Sequence, residues 1–267
     1  LPEKYSALFS PETQLVFNRQ ELLNEVNLLS QNTGVSGWVN RLNYALDVLR
    51  KPFGQRGIII TFSGVDGAGK STIIEHTKKI VEKKFRRQVV VIRHRPSVLP
   101  ILSALTMGKQ KAEQKAATTL PRQGTNSSLI SSLLRFSYYY LDYLLGQLYV
   151  YAKHVLRGDV VLYDRYYFDF INDSLRSNIR LPKWLTKAGY KLLMQPRLNF
   201  FLYADPQTIL SRKKELDAAA ITELTHDYLT LFTELEAKSP GRYFPVENIH
   251  LRRSLQFITA KATAEIC

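Results

Sequence analysis

Between residues 58 and 72 the chain reads IIITFSGVDGAGKST, and this run leaves few folds open to it. Ile58 to Phe62 form a short apolar and β-branched run without polar alternation. Such a run marks a strand covered on both faces, the kind found in parallel sheets wrapped by helices. It gives way at once to Gly64-Val65-Asp66-Gly67-Ala68-Gly69-Lys70-Ser71, which fills the template G-x-x-x-x-G-K-[ST] of a Walker A phosphate loop. The glycines let the main chain turn tightly enough to aim its N–H groups at phosphate oxygens. Lys70 has the reach to meet the distal phosphates, and the Ser71 hydroxyl, followed by Thr72, can join a Mg²⁺ shell. From Ser71 to Val81 the chain suits a helix whose positive N-terminal end faces the bound anion. A bland glycine-rich turn is the alternative, and the position between a buried strand and a helix argues against it.

The 267 residues suffice for one α/β domain with an extension, and no internal repeat is apparent. The most apolar stretch, 133–151, contains Arg135 and Asp142 and reads as a buried helix rather than a membrane span. No secretory pattern opens the chain and Cys267 is its one cysteine, so no internal disulfide and a reducing, cytoplasmic setting are expected. Net charge is +14, from 37 Lys and Arg against 23 Asp and Glu. A polyanion, either nucleic acid or an anionic membrane surface, is one partner class for such a chain. The other reading is a phosphate-handling protein with a basic surface. The densest cluster, Lys78, Lys79, Lys83, Lys84, Arg86 and Arg87, follows helical spacing on the outer side of the helix after the loop. It reads as a solvated face. No aromatic residues interleave it to stack bases, so no nucleic-acid partner is expected.

The chain divides at about residue 54. Residues 1–54 read as a helical N-terminal extension: Ser10 and Pro11 suit a helix start, Leu15, Leu22, Val26 and Leu29 recur at helical spacing, and a second helix spans 36–50. Residues 55–267 alternate strand and helix, the pattern of a parallel sheet flanked by helices. Strands are predicted at 57–63, 88–93, 159–164, 197–203 and 242–246, and helices at 70–84, 127–156, 182–194, 206–214, 221–237 and from 251 onward. Residues 109–126 read as a mobile loop. Ligands of such sheets bind at the carboxyl ends of the strands, where His94, Arg95, Asp164 and Arg165 fall.

Val160-Val161-Leu162-Tyr163-Asp164 is a buried strand ending in an acid, the form of a Walker B element whose carboxylate helps hold Mg²⁺. Arg165 follows and can clamp a phosphate or stabilise transferring charge; a salt bridge that fixes the loop is the plainer role. Asp169 and Asp173 lie one helical turn apart; they read as a solvated face, with assistance to an acceptor as the alternative. His94 reads as a strand end, and Trp38 and Trp184 as packing.

With these motifs placed, the chain resembles the thymidylate kinases. FSGVDGAGKST carries an acid, Asp66, in the third position of the loop; a later strand ends Asp164-Arg165-Tyr166; and LNFFLYADPQTILSRKKE joins Asp205-Pro206 to Arg212. The resemblance runs from Gly57 to the C-terminus. It implies a P-loop nucleoside monophosphate kinase fold, with ATP on Gly64, Gly67, Ala68, Gly69, Lys70, Ser71 and Thr72 and near Arg212, and Mg²⁺ held through Ser71 and Asp164. It also implies that Asp66 meets the acceptor near a sugar hydroxyl and Arg165 belongs to the acceptor or transfer site. Arg212, Lys213 and Lys214 would lead into a lid at 215–220. Homodimers through helices beside the sheet are common in that family.

The acceptor half departs from the family pattern. Where thymidylate kinases carry Arg-Glu-Pro-Gly, this chain has Arg93-His94-Arg95-Pro96. Where the long helix carries an acceptor-gripping Arg, it has Phe136 to Asp142, with Arg135 as the nearest cation. These features resemble divergent thymidylate-kinase-like proteins with bacterial surface-glycan functions. The expectation is therefore an ATP-dependent kinase using Mg²⁺ and a small-molecule acceptor, with dTMP first among nucleoside monophosphates. The alternatives are a glycan precursor as acceptor, or a non-catalytic ATP-binding module. Lys70, Asp66, Asp164 and Arg165 are the expected catalytic set. Of the tyrosines at 138, 139, 140, 143 and 149, one or two are expected at a ligand and the rest in the core.

Overall fold

The computed structural model describes residues 24, 28, 33–50, 56–96, 98–99, 128–213 and 215–266. The chain separates into two units, residues 1–52 and 53–267. In the first, helix α1 spans Gly34–Arg50, and Val35, Trp38, Leu42 and Leu46 lie exposed along it. Of the predicted helix from Ser10, only Asn24 and Leu28 lie within the described residues, and both are helical. The predicted loop at 109–126 and Cys267 lie outside them.

In the second unit, strands β1 (Ile58–Ser63), β2 (Val89–Arg93), β3 (Val160–Asp164), β4 (Leu198–Tyr203) and β5 (Tyr243–Glu247) form one parallel sheet in the order β2-β3-β1-β4-β5. The helices between them are α2 (Lys70–Phe85), α3 (Leu129–Lys153), α4 (Phe168–Asn172), α5 (Lys183–Tyr190), α6 (Pro206–Arg212), α7 (Ala218–Lys238) and α8 (Leu251–Ile266). One-turn 3-10 helices lie at Val155–Arg157 and Ser174–Ser177. The five predicted strands are all present, with ends displaced by no more than a residue.

Side-chain alternation along the strands explains why both sheet faces are covered. Ile60, Phe62, Val160, Leu162, Phe200 and Leu202 join one core with Ile73, Ile74 and Val81 of α2 and Ile258 of α8. Their neighbours Val161, Tyr163 and Phe201 face a second, largely aromatic core with Phe136 and Tyr143 of α3, Phe168 and Phe170 of α4, and Phe232 of α7. Thr61 and Asn199 are buried polar residues on that second face. The Thr61 hydroxyl donates to Asn199 Oδ1 at 2.8 Å, and the Asn199 amide donates to the carbonyls of Pro196 and Arg242. Each polar atom therefore trades water for a protein partner.

Four helix predictions need correction. The predicted helix 127–156 ends as an α-helix at Lys153, and Gly158, at φ 83°, terminates the 3-10 turn after it. The one at 182–194 stops at Tyr190. The one at 206–214 stops at Arg212, before Lys213 turns extended. The helix predicted to begin at Ile221 begins at Ala218, because the Asp217 carboxylate caps the Ala220 N–H at 2.7 Å. The tryptophans are not core residues: Trp38 is 74% exposed and Trp184 71% exposed. On α5 the buried side chains are Thr186 and Tyr190, one turn apart, and Trp184 lies across the helix from Thr186.

Candidate functional site

The order of strands brings the site together. β1 is central, β3 lies on one side and β4 on the other. The loop leaving β1 therefore opens beside the carboxyl ends of both neighbours. Phe62 pairs in register with Asp164, and Asp164 with Arg93.

The loop between β1 and α2 depends on its glycines for space as well as conformation. Gly64 has φ 148°, and a Cβ there would stand 2.3 Å from the Leu202 carbonyl oxygen. Gly69, at φ 87°, precedes α2, and a Cβ there would meet Asn248 Nδ2 at 2.4 Å. Asn248, buried just beyond β5, donates from that nitrogen to the Ala68 carbonyl at 2.8 Å. No motif pointed to Asn248. It is 180 residues from Ala68 in sequence, and only the packing of β5 beside β4 brings it to the loop.

Lys70 is 6% exposed and donates to the carbonyls of Gly64 at 2.8 Å and Val65 at 3.0 Å, with Asp66 Oδ1 at 3.6 Å. Ser71 and Thr72 are exposed in the first turn of α2. Arg212, at the end of α6, approaches the Gly67 carbonyl at 3.4 Å.

Arg165 follows β3 with a left-handed backbone, φ 75°, uncommon for a side chain that must avoid its own carbonyl. Its N–H donates to the Phe62 carbonyl at 2.8 Å, which ties the end of β3 to β1. The guanidinium, 4% exposed, pairs with Asp66 Oδ1 and with Asp169 Oδ2 at 2.9 Å. Asp169 in turn accepts the Tyr228 hydroxyl at 2.7 Å. Asp169 and Asp173 are thus not a solvated face: Asp173 is buried, and Asp169 is held between α7 and Arg165. The other oxygen of Asp66 accepts from Arg176 Nη1 at 2.6 Å. Arg176 carried no sequence signal, since it comes from the 3-10 turn Ser174–Ser177 rather than from a motif.

Three cations thereby converge on one carboxylate. Burial alone would raise the Asp66 carboxyl, but Arg165, Lys70 and Arg176 outweigh it and hold it well below the usual carboxylate range. Burial works to lower Arg165, while Asp169 and Asp66 more than offset it and keep the guanidinium charged. Lys70 is pushed down to about 8, first by burial and then by Arg165, against the pull of Asp66 and Asp164.

Asp164 points a buried oxygen, Oδ1, at no hydrogen-bond partner. A hard cation completed by phosphate and water oxygens suits such an orphan, with the Ser71 hydroxyl as a second oxygen donor. Among the described residues no group of three or more His, Cys, Asp or Glu could form an all-protein metal cage. Mg²⁺ does not need one, because it keeps waters and substrate oxygens in its shell.

Beside the carboxyl end of β2, Asp142 is fully buried on α3. Its Oδ2 pairs with Arg95 at 3.2 Å and its Oδ1 accepts the Leu99 N–H at 2.6 Å. Arg95 lies over the Tyr139 ring, 4.5 Å from the centroid. His94, at φ 64°, donates its N–H to the Asp164 carbonyl and accepts the Tyr143 hydroxyl on its own carbonyl. Tyr143 is core, Tyr140 donates to the Gly189 carbonyl and Tyr149 is exposed. Arg135 Nε is buried without a partner.

The segment predicted as a lid is shorter than 215–220, since 218–220 already belong to α7. Lys213 pairs with Glu215 at 2.7 Å, and both line a cavity of about 10 Å³ with Asp66, Arg176, Val65 and Leu216. That volume holds roughly one water.

A parallel five-stranded sheet in this order, with a phosphate loop after its central strand, defines a P-loop nucleoside monophosphate kinase-like fold. The structure of thymidylate kinase from Candida albicans has this fold: it superposes with a TM-score of 0.50 and 20% identity, covering 79% of this chain and 93% of the yeast one. No protein-family model matches the chain, and no curated protein matches it in sequence. No helix among the described residues is long and apolar enough to cross a membrane.

Proposed function

We propose that the protein is an ATP-dependent kinase that transfers the γ-phosphoryl group of Mg-ATP to a nucleoside monophosphate, dTMP first among them. The observation that carries this reading is the convergence of Lys70, Arg165 and Arg176 on Asp66, beside the orphaned Asp164 oxygen, at the mouth of a glycine-built loop. In-line transfer needs such a preorganised cationic site with a metal-holding acid next to it. The Candida enzyme is described as having broad substrate specificity, which suits a fold whose acceptor half varies.

ATP would lie on the amides of residues 64–72, with Lys70 at its distal phosphates and Arg212 beside the loop. Ser71 and Asp164 would hold Mg²⁺, which supplies charge neutralisation at the phosphates. An acceptor oxygen forms a bond to the γ-phosphorus while the bond to the β,γ-bridging oxygen breaks, and ADP leaves with that electron pair. A phosphate acceptor is already ionised and gives up no proton. A hydroxyl acceptor would give its proton to Asp66 or Asp164, so a glycan precursor is the second reading. It is favoured by the pairing of Arg95 with Asp142, which engages a cation that an acceptor phosphate would otherwise use. We take residues 55–267 as the kinase domain, residues 1–54 as a helical extension, and the ATP-rich cytoplasm as its setting.

The test is ADP release with Mg-ATP and a panel of dTMP, other nucleoside monophosphates, sugars and sugar phosphates. Stimulation by dTMP supports the first reading, and stimulation by a sugar the second. ATP binding without acceptor-dependent turnover would reduce the protein to a nucleotide-binding module.

Lys70 gives this reading a pH signature. Polyphosphate beside the ammonium opposes the burial that lowers it, so the proton is held more tightly in the complex. Below pH 8 Lys70 is charged with or without nucleotide. Between about 8 and its ordinary value of 10.5, binding takes up a proton and affinity falls as pH rises. Titration calorimetry at pH 9 in buffers of different ionisation enthalpy should show that uptake, and buffer-independent heats would refute it.

A homodimer through α3 also follows. Ile130, Leu134, Leu141 and Leu148 are exposed on the helix at spacings of four residues or a heptad. Sedimentation should give a dimer that Leu134→Glu with Leu141→Glu converts to monomer; a monomeric wild type would exclude it.

A further inference from the structure

Resting on the kinase reading above, we propose that Arg176 is the transfer-site cation, the guanidinium that leaves Asp66 to bind the phosphoryl group as it passes from donor to acceptor. The geometry points there for four reasons. The first is charge. Lys70, Arg165 and Arg176 all meet the single carboxylate of Asp66, so the anion at the centre of the cluster is a side chain of the loop itself. A phosphoryl group entering beside Lys70 competes for the same three cations. The second is which cation can be released. Arg165 is anchored from two sides, by Asp66 and by Asp169, and its backbone N–H is tied to β1. Arg176 pairs with Asp66 alone among the acids of the described residues. Exchange of that one contact for a phosphoryl oxygen frees Asp66 Oδ2, while Arg165 stays on Oδ1 and keeps the carboxylate paired.

The third reason is position. Arg176 sits on a 3-10 turn of four residues that ends at Asn178 in the left-handed region, and its side chain keeps 18% of its surface exposed. It lines a small cavity together with Asp66 of the loop and with Lys213, Glu215 and Leu216. A substrate group that enters there meets Arg176 directly. The fourth is what the loop lacks. The residue after Asp66 is Gly67, which carries no cation, and Arg212 reaches a loop carbonyl only at 3.4 Å. A planar guanidinium can meet charge spread over the transferring oxygens with two parallel N–H donors. No bond is made or broken at Arg176; it stabilises charge, and Asp66 is the positioning carboxylate that parks it.

The experiment compares wild type, Arg176→Ala and Arg176→Lys in Mg-ATP binding, in ADP release with the best acceptor, and in the slower release with water alone. Arg176→Ala should lower kcat about 100-fold with Mg-ATP affinity within about twofold of wild type. Added guanidinium ion should restore part of the lost rate. Arg176→Lys keeps the charge and the Asp66 pair, so it should melt like wild type and still turn over slowly for want of the planar fork. A kcat within about threefold of wild type in both variants would overturn the proposal. So would a loss in Arg176→Ala that guanidinium does not restore and that tracks a fall in Tm, since a merely structural ion pair behaves that way. A wild type that neither binds Mg-ATP nor releases ADP would overturn the kinase reading itself, and this role with it.

Discussion

Lys70→Ala should lower ATP-dependent turnover by about 100- to 1,000-fold while leaving the fold intact, read as ADP release and as thermal melting of the same preparation. The two halves of this expectation have different causes. The ammonium is the cation nearest the loop carbonyls, and without ligand it is satisfied by Gly64 and Val65 rather than by solvent. On the kinase reading this holds the ammonium inside the loop, where distal phosphates would lie. Removing it leaves Asp66 still paired with Arg165 and Arg176, so no carboxylate is stranded. Burial already disfavours the charged lysine, as its pKa of about 8 records, so its loss also removes an unfavourable buried charge. A near-normal rate in this variant would sink the mechanism, and a large fall in Tm would show that the loop needs the lysine to fold.

Asp142→Ala should cost about 3 kcal/mol of stability, a large effect for a residue outside the phosphate loop. Its carboxylate is wholly inside the protein and holds two partners from one segment, the Arg95 guanidinium and the Leu99 N–H. Truncation removes one acceptor from a partly buried guanidinium and one from the Leu99 amide, and that loss falls on the folded state. The segment after β2 should also loosen, although the Pro96 ring still packs against Gly146 of α3, where a Cβ would stand 2.2 Å from it. Urea denaturation with an unchanged slope would report the loss as stability alone. A change below about 0.5 kcal/mol would mean that Arg95 finds solvent at no cost.

The parts of the site that were legible in advance are the parts built from consecutive residues. Gly64 to Thr72 is one turn and one helix start, and its chemistry is local: glycines for positive φ, a lysine within reach of its own loop, a hydroxyl on the first turn. Asp164 and Arg165 were legible for the same reason, since a buried strand and the residue after it can be read from hydrophobicity alone. The role of Asp169 was misread because periodicity on a five-residue helix says little about which side faces the core. Arg165 and Tyr228, the latter 59 residues away, together enclose its carboxylate.

Asn248 and Arg176 show the limit from the other direction. Neither residue type nor spacing marks them, and each reaches the loop through one long-range side-chain contact, with Ala68 and Asp66. The tyrosines of α3 divide in the same way: the helix repeat put them on different faces, but which face met the aromatic core depended on α4 and α7.

By itself the sequence determined the strands and the glycine-rich loop, which are read from local residue patterns, and the parallel α/β class, which is read from the alternation of strand and helix along the chain. Tertiary structure alone decided that Lys70, Arg165 and Arg176 share one carboxylate, that Asp142 holds the segment after β2, and that Asn248 seats the loop. Those contacts come from strands that are neighbours in the sheet but distant in the chain. Charge and desolvation act through space, so no local pattern of residues encodes them.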